Sequence, residues 1–312
     1  MNGASGRELL GVLERRFGDR FRPHGGHSGV LATVLPADAD EVGFLARIAS
    51  QHSLRLVPAG MGTDPDLPGP GEGVLVSTRM LTRIRFPDDK RSWVEVEPGV
   101  LWLELEDKLR SLHRALTVYP TSAPRSTVGG WLARDGMGVG SFAYGWLREN
   151  VLSAEVVLAD GRLCTLEGEG LGLAIGALGK TGVIVRATLR LRETTGDRPF
   201  VAAFERAGAL QGAVDSLLGR KPPLWHLGLM NPQMAGALRA RERYLLFGAY
   251  PAGDAAAEGP LAQALGENRG RLLDAGEAYR VWGSRFFPAD PAHPTPVPGR
   301  VLVPAARIGT VL

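Results

Sequence analysis

Three glycine-rich stretches, each next to a strand-like run, limit what this chain can fold into more than any other feature. The first is Pro58-Ala59-Gly60-Met61-Gly62-Thr63, which follows the apolar run Leu54–Val57. The second runs from Pro120 to Gly145, with six glycines between Gly129 and Gly145 and the aromatic residues Trp131, Phe142 and Tyr144 among them. The third spans Gly176 to Val185 and leads into a β-branched alternation. Glycine supplies backbone angles closed to other residues and lets the main chain come near a planar or anionic partner. Consecutive N–H groups in such a turn converge into a nest for an anion such as a diphosphate, and Thr63 would add a hydroxyl. A plain surface turn explains the first stretch equally well, and a flexible lid is the competing reading of the second.

Composition narrows the fold class. With 42 glycines and 22 prolines in 312 residues, a helical bundle or coiled coil is excluded, because helices do not tolerate so many breakers. The 44% hydrophobic content is enough for a packed core and excludes a disordered chain. The net charge is only +3, and the basic residues are scattered, which argues against a nucleic-acid surface. Cys164 is the only cysteine, so the chain alone builds neither a disulfide nor a cysteine-ligated cluster, and no metal site is read from it. No apolar run is long enough to span a bilayer and the N-terminus lacks a hydrophobic signal core. The expectation is a cytoplasmic protein, peripheral to the inner membrane only through a partner.

Periodicity predicts a helix over Ser5–Phe17, capped at Ser5, then a strand over Val30–Leu35 and a helix opened by Asp38 or Asp40. Strands follow at Leu54–Val57, Val74–Ser77, Arg83–Phe86 and Trp93–Val96, and an amphipathic helix over Leu101–His113. Leu116–Tyr119 reads as a strand, Val151–Leu166 as a hairpin about Asp160-Gly161, and Val183–Leu191 as a strand. Composition shifts at Thr194–Asp197. Beyond it the order is strand (Val201–Phe204), helix (Ala207–Leu218), strands (Leu224–Met230 and Tyr244–Tyr250), helix (Ala255–Leu265), with Arg300–Val303 as the last strand. That order predicts a ferredoxin-like α+β lobe. The expected domains are a helix and lead-in over 1–29, a main domain over 30–196, and a partial lobe over 197–312 that stops at Leu312 inside what reads as a further helix.

Gly179-Lys180-Thr181 looks at first like a phosphate-binding loop of nucleoside triphosphatases. That loop needs glycine where Ala174 stands and a helix afterwards, so this reading is rejected. No GxGxxG opens a helix within a βαβ unit, which disfavours a Rossmann fold.

The order of these segments resembles the FAD-binding domain of the vanillyl-alcohol oxidase/p-cresol methylhydroxylase superfamily, nearest the glycolate oxidase and D-lactate dehydrogenase flavoproteins. The resemblance covers about Val30–Leu191. It rests on the PxGxGT-like first stretch, Val96-Glu97-Pro98-Gly99-Val100, the second stretch from Tyr119 to Gly145, Val156–Gly161, and Gly179–Leu191 in that order. It implies a two-part α+β domain holding non-covalent FAD, followed by an incomplete ferredoxin-like substrate cap. By analogy Pro58, Ala59, Gly60, Met61, Gly62 and Thr63 would contact the pyrophosphate. Pro120, Ser126, Thr127, Gly130, Gly140 and Ser141 would line the diphosphate and ring system, and Gly182, Val183 and Val185 the adenine or ribitol end. No histidine stands in the first loop, where some members attach flavin covalently. Two departures matter: Asp64-Pro65-Asp66 follows Thr63 where members carry further glycine, and Lys180 stands where an acidic residue is common.

Oxidation of a 2-hydroxy acid needs a general base and a cation for the carboxylate. The family's catalytic and metal-binding histidines lie further along the cap than Leu312 and cannot be carried over. His226, Arg285 and Tyr144 are the weak candidates here, each with a bland alternative: a packed strand histidine, a structural arginine, a core tyrosine. Two functions therefore compete. One is an FAD-linked dehydrogenase subunit acting on glycolate or D-lactate and passing electrons to an iron–sulfur partner. The other is a non-catalytic FAD-binding accessory subunit. A cell-wall precursor enolpyruvyl reductase is a third reading with less support.

Overall fold

A computed structural model of the chain describes residues 3–24, 29–62, 73–194, 196–237, 243–286 and 303–311. These divide into two units, Met1–Gly138 with Trp146–Arg192, and Val139–Gly145 with Glu193–Leu312. The second glycine-rich stretch is therefore split, its Val139–Gly145 portion belonging to the second unit.

The first unit opens with α1 (Gly3–Phe17), which starts two residues before the expected cap at Ser5. Leu9, Leu13 and Phe17 recur every fourth residue and bury one face against Val34, Leu45, Val74 and Val76. Next come β1 (Phe21–Pro23), β2 (Val30–Val34), α2 (Ala39–Gln51), β3 (Arg55–Ala59) and β4 (Gly73–Ser77). The sheet order is β1-β2-β4-β3, with β1 antiparallel to β2 and the other neighbours parallel. Asp38, not Asp40, caps α2 by accepting the Glu41 N–H at 2.8 Å.

A second sheet of the same unit uses β5 (Ile84–Arg85), β6 (Trp93–Val96), β7 (Arg114–Leu116), β8 (Val151–Val157), β9 (Leu163–Glu167) and β10 (Val183–Glu193), with α3 (Trp102–Arg110) and α4 (Val128–Arg134) between strands. Its order is β5-β6-β10-β8-β9, and β7 also pairs with β10. Strand β7 lies two residues earlier than expected, and Tyr119 is buried outside any strand. The β8–β9 hairpin turns at Asp160-Gly161, where Gly161 has φ +82° and a Cβ would stand 2.5 Å from Arg47 Cγ.

The second unit contains α5 (Ser141–Tyr144), β11 (Asp197–Phe204), α6 (Ala207–Arg220), β12 (His226–Met230), α7 (Pro232–Ala237), β13 (Tyr244–Pro251), α8 (Ala255–Glu267), β14 (Arg271–Leu272) and α9 (Ala275–Gly283). The antiparallel order β12-β13-β11-β14 is the ferredoxin-like order. Strand β11 alternates its faces: Phe200, Ala202 and Phe204 pack with Leu210, Leu217 and Leu261, whereas Val201 and Ala203 pack with Phe247, Ala278 and Val281. The strand at the β14 edge is Arg271–Leu272, which the sequence reading missed; of the expected strand Arg300–Val303, residues 300–302 lie outside the described ones. Two exposed residues carry no alternation to read, so only the pairing with Ala202 and Ala203 reveals them as a strand.

Candidate functional site

In the first unit β3 ends at Ala59, opposite Ser77 of β4, and the chain turns through Gly60-Met61-Gly62. Gly60 must be glycine because a Cβ there would lie 2.2 Å from Thr127 Oγ1. Gly62 has φ +67° and open space where a side chain would be. Arg79 fixes this turn from outside: its Nε donates to the Gly60 carbonyl and its Nη2 to the Met61 carbonyl, each at 3.3 Å. In a trans peptide the N–H points opposite to the preceding carbonyl. Tying those two carbonyls to Arg79 therefore aims the N–H groups of Met61 and Gly62 the other way, and no described backbone carbonyl accepts from either. Sequence reasoning missed Arg79, which stands 17 to 19 residues beyond the turn it holds; only the pairing of β3 with β4 brings them together. Thr63 and Asp64–Asp66 lie outside the described residues.

The other two stretches close on this turn. Thr127 caps α4, its buried Oγ1 accepting the Gly130 N–H at 3.2 Å, and its carbonyl accepts from Trp102 Nε1 at 3.1 Å. The Val128 and Gly129 N–H groups donate to the Val100 and Pro98 carbonyls, so Val96–Val100 seals the start of α4. Gly130 and its neighbours thus use their backbone donors within the protein. Ser126 is buried and donates to the Ser122 carbonyl, and the Pro120 carbonyl accepts from Ala123. From the third stretch, the Gly176 and Leu178 N–H groups donate to the Leu132 and Ala133 carbonyls of α4 at 3.0 and 2.8 Å. Gly179 sits where a Cβ would lie 2.9 Å from Pro58 Cγ. All three stretches therefore meet within the first unit, across α4 and the end of β3.

Asp135, also unforeseen, stands at their junction. It is buried in the left-handed region at φ +56°, accepts the Gly136 N–H at 2.8 Å and faces Arg148 at 3.6 Å. Gly182 packs against β8, where a Cβ would lie 2.5 Å from the Val157 carbonyl. The side chains of Val183 and Val185 are buried with Val42, Ala46, Leu81 and Val157, so a ligand could meet residues 182–185 only through their backbone. Large apolar side chains lie exposed on or beside the three stretches: Met61, Met80, Met137 and Leu178 are 40–55% accessible. Open backbone donors beside exposed apolar surface suit a ligand with an anionic end and a flat apolar end.

The second unit holds the remaining candidates. Gly140, at φ +95°, donates its N–H to His226 Nδ1 at 3.2 Å, and its carbonyl accepts from Ala143 and Tyr144. His226 is only 8% exposed, with the rings of Trp225, Phe247 and Trp282 within 5.5–6.0 Å. Burial, with the Arg285 charge adding to it, pushes its pKa down to about 3. An imidazole whose Nδ1 accepts and which stays neutral carries its proton on Nε2, so His226 offers no free basic nitrogen. This geometry argues against His226 as the base. The Arg285 guanidinium stacks between Trp282 and Phe286, 4.3 and 4.1 Å from their ring centroids, and donates to the Trp282 carbonyl at 2.7 Å. Such a sandwich suits a structural cation. Ser141 and Tyr144 are half-buried on α5.

Among the described residues no group of three His, Cys, Asp or Glu stands close enough to hold a metal ion. His24 and His27 do have HxxH spacing; His24 Nε2 contacts Thr33 Oγ1 at 2.7 Å and His27 lies outside the described residues. No described helix is long and apolar enough to cross a membrane.

Residues 30–167 match the family model of an FAD binding domain. Over 198 residues the chain is 33% identical to a probable mitochondrial D-lactate dehydrogenase of Danio rerio, covering 59% of this chain and 39% of that protein. It is 32% identical over 171 residues to a D-lactate dehydrogenase of Archaeoglobus fulgidus, covering 51% and 38%. It is 28% identical over 204 residues to the glycolate oxidase subunit GlcD of Bacillus subtilis, covering 61% and 43%. The chain thus spans about two-fifths of the length of these relatives. A solved alkyldihydroxyacetonephosphate synthase superposes with a TM-score of 0.76 over 89% of this chain and 68% of its own, at 17% identity, which shows a shared fold. Residues 30–167 thus match an FAD binding domain, and over part of its length the chain is similar to D-lactate dehydrogenases and to a glycolate oxidase subunit.

Proposed function

We propose that this chain binds FAD non-covalently and serves as a dehydrogenase subunit acting on a 2-hydroxy acid such as D-lactate or glycolate. The observation that carries the flavin part is the meeting of the three glycine-rich stretches around the Gly60–Gly62 turn, with the Met61 and Gly62 N–H groups turned outward by Arg79. Backbone donors suit a diphosphate without a lysine or arginine directly on it. When bound, FAD supplies the two-electron acceptor. In this reading Pro58–Gly62, together with Thr63, approaches the diphosphate. Thr127, Ser126, Pro120 and Gly130 shape the wall behind it, and Gly182, Val183 and Val185 contribute backbone. The hydroxy-acid part rests on the names of the relatives. With one cysteine, the chain holds no cluster of its own, so electrons leave to a separate acceptor, for which an iron–sulfur subunit is the expected class. The expected compartment is the cytoplasm, at the inner membrane only through that partner.

A second reading, an FAD-binding subunit without its own catalytic base, is favoured by His226, whose Nδ1 accepts the Gly140 N–H and whose pKa burial pushes down to about 3. Purified full-length protein should be yellow, release its flavin on acid precipitation and rebind added FAD; colourless protein that fails to bind FAD overturns both readings. Anaerobic mixing with D-lactate or glycolate separates them, because bleaching of the bound flavin follows only from the dehydrogenase reading.

A further inference from the structure

The end of α4 departs from the way a helix runs on. In an unbroken helix the Leu132 carbonyl would accept the N–H of residue 136 and the Ala133 carbonyl that of residue 137. Here the ladder stops with Asp135, whose N–H donates to the Trp131 carbonyl at 2.8 Å. Asp135 itself stands at φ +56° and ψ 176°, a combination that is essentially glycine's own and strains any other residue. Its buried carboxylate takes the next N–H in line: Gly136 donates to Oδ1 at 2.8 Å, while Oδ2 faces Arg148 Nη2 at 3.6 Å. The Leu132 and Ala133 carbonyls are thereby left for the third glycine-rich stretch, and the Gly176 and Leu178 N–H groups fill them. Leu178 also has a positive φ, +54°, and an exposed side chain, so packing does not account for its backbone; the bond to Ala133 does. One residue on, Gly179 rests against Pro58 of β3, two residues before the Gly60–Gly62 turn. A glycine at 135 would adopt the same angles without strain, so what the aspartate adds is its carboxylate.

We propose that Asp135 is a positioning residue: by holding the Gly136 N–H away from the Leu132 carbonyl, its carboxylate opens the end of α4 to the third stretch, which in turn buttresses Pro58 and the turn that meets the diphosphate. The last step rests on the flavin reading above; the opening of α4 stands without it. Every residue in this series of contacts belongs to the first unit.

The test uses the full chain and three variants. D135N keeps an acceptor at Oδ1, D135A loses it and keeps the strain, and D135G loses both. Without flavin, the Tm of D135G should exceed that of D135A by about 3 °C or more, the difference reporting the strain. Hydrogen–deuterium exchange of the peptide spanning Gly176–Leu178 should be slow in wild type and D135N and at least tenfold faster in D135G. FAD affinity should fall at least fivefold in both D135A and D135G, despite their different Tm, and stay within twofold of wild type in D135N. A Tm in D135G no higher than in D135A overturns the strain. Unchanged exchange in D135G overturns the opening of α4. Faster exchange with unaltered FAD affinity overturns the positioning role, as does an affinity that merely follows Tm across the variants. A loss in D135N equal to that in D135G overturns the acceptor role of Oδ1. A wild-type protein that binds no FAD overturns the flavin reading, while the exchange contrast still decides what Asp135 does at α4.

Discussion

Single residues at this site are constrained mainly by close approach. Gly60 is not in the left-handed region; it is glycine because Thr127 occupies the space of its side chain, with Oγ1 2.2 Å and Cβ 3.3 Å from a Cβ placed there. Gly60→Ala should therefore destabilise the protein by about 1–3 kcal/mol through overpacking. Thr127→Ala alone should cost about 1 kcal/mol, because it removes the cap on α4. The double variant removes the oxygen that clashes, so its cost should fall short of the sum by more than roughly 0.5 kcal/mol in urea unfolding. Additive costs would mean that the two residues do not touch. The same contact explains why Thr127, expected from the sequence as a flavin ligand, first serves as a wall: its hydroxyl accepts from Gly130 and its carbonyl from Trp102.

Among the elements, the start of α2 shows how charge ties segments together. Glu41 lies one turn into the helix, accepts the Ala37 N–H at 2.8 Å and is gripped by both terminal nitrogens of Arg20, the Nη2–Oε1 bond being 2.7 Å. The Arg20 hydrogen bonds hold its carboxyl below the ordinary value of 4.5. A carboxyl depressed in the folded state contributes stability above its unfolded value and loses it as pH falls through the folded one. Glu41→Gln should thus be less stable than wild type at neutral pH, with the gap closing below pH 4.5 as the wild-type side chain is protonated. A gap that does not change with pH would remove the ion pair from the account. Elements of this kind were readable: periodicity with Asp38 or Asp40 as the cap located α2, Asp160-Gly161 located the hairpin, and β-branched alternation located β10. What escaped reading depends on long-range pairing. Arg271–Leu272 is a strand only through Ala202 and Ala203, Arg79 reaches its turn only through β3–β4 pairing, and the Val139–Gly145 segment joins the second unit through His226. The glycine stretches do meet in the first unit, but the donors they leave open could not be told from those that neighbouring carbonyls use.

For the molecule as a whole, that distinction decides which ligand the first unit should prefer. The start of α4 is closed by Val96–Val100 and Thr127, whereas the Met61 and Gly62 N–H groups meet no backbone acceptor among the described residues and lie beside exposed Met61 and Met80. A turn with two outward N–H groups addresses a bridging diphosphate, and FMN, with a terminal monophosphate and no adenosine, would meet it differently. Ligand that binds only the folded state stabilises by about 2.7 kcal/mol at a concentration of 100 times Kd. For a unit of this size each kcal/mol raises the melting temperature by roughly 2–4 °C, so saturating FAD should raise it by about 5–10 °C. FMN at the same concentration should raise it by less than half as much. Equal shifts would mean that the flavin ring alone carries recognition and that the Gly60–Gly62 turn is only a turn. A shift with FAD that disappears in Gly60→Ala but survives in a variant of an exposed residue such as Leu163 would tie recognition to the junction where the three stretches meet.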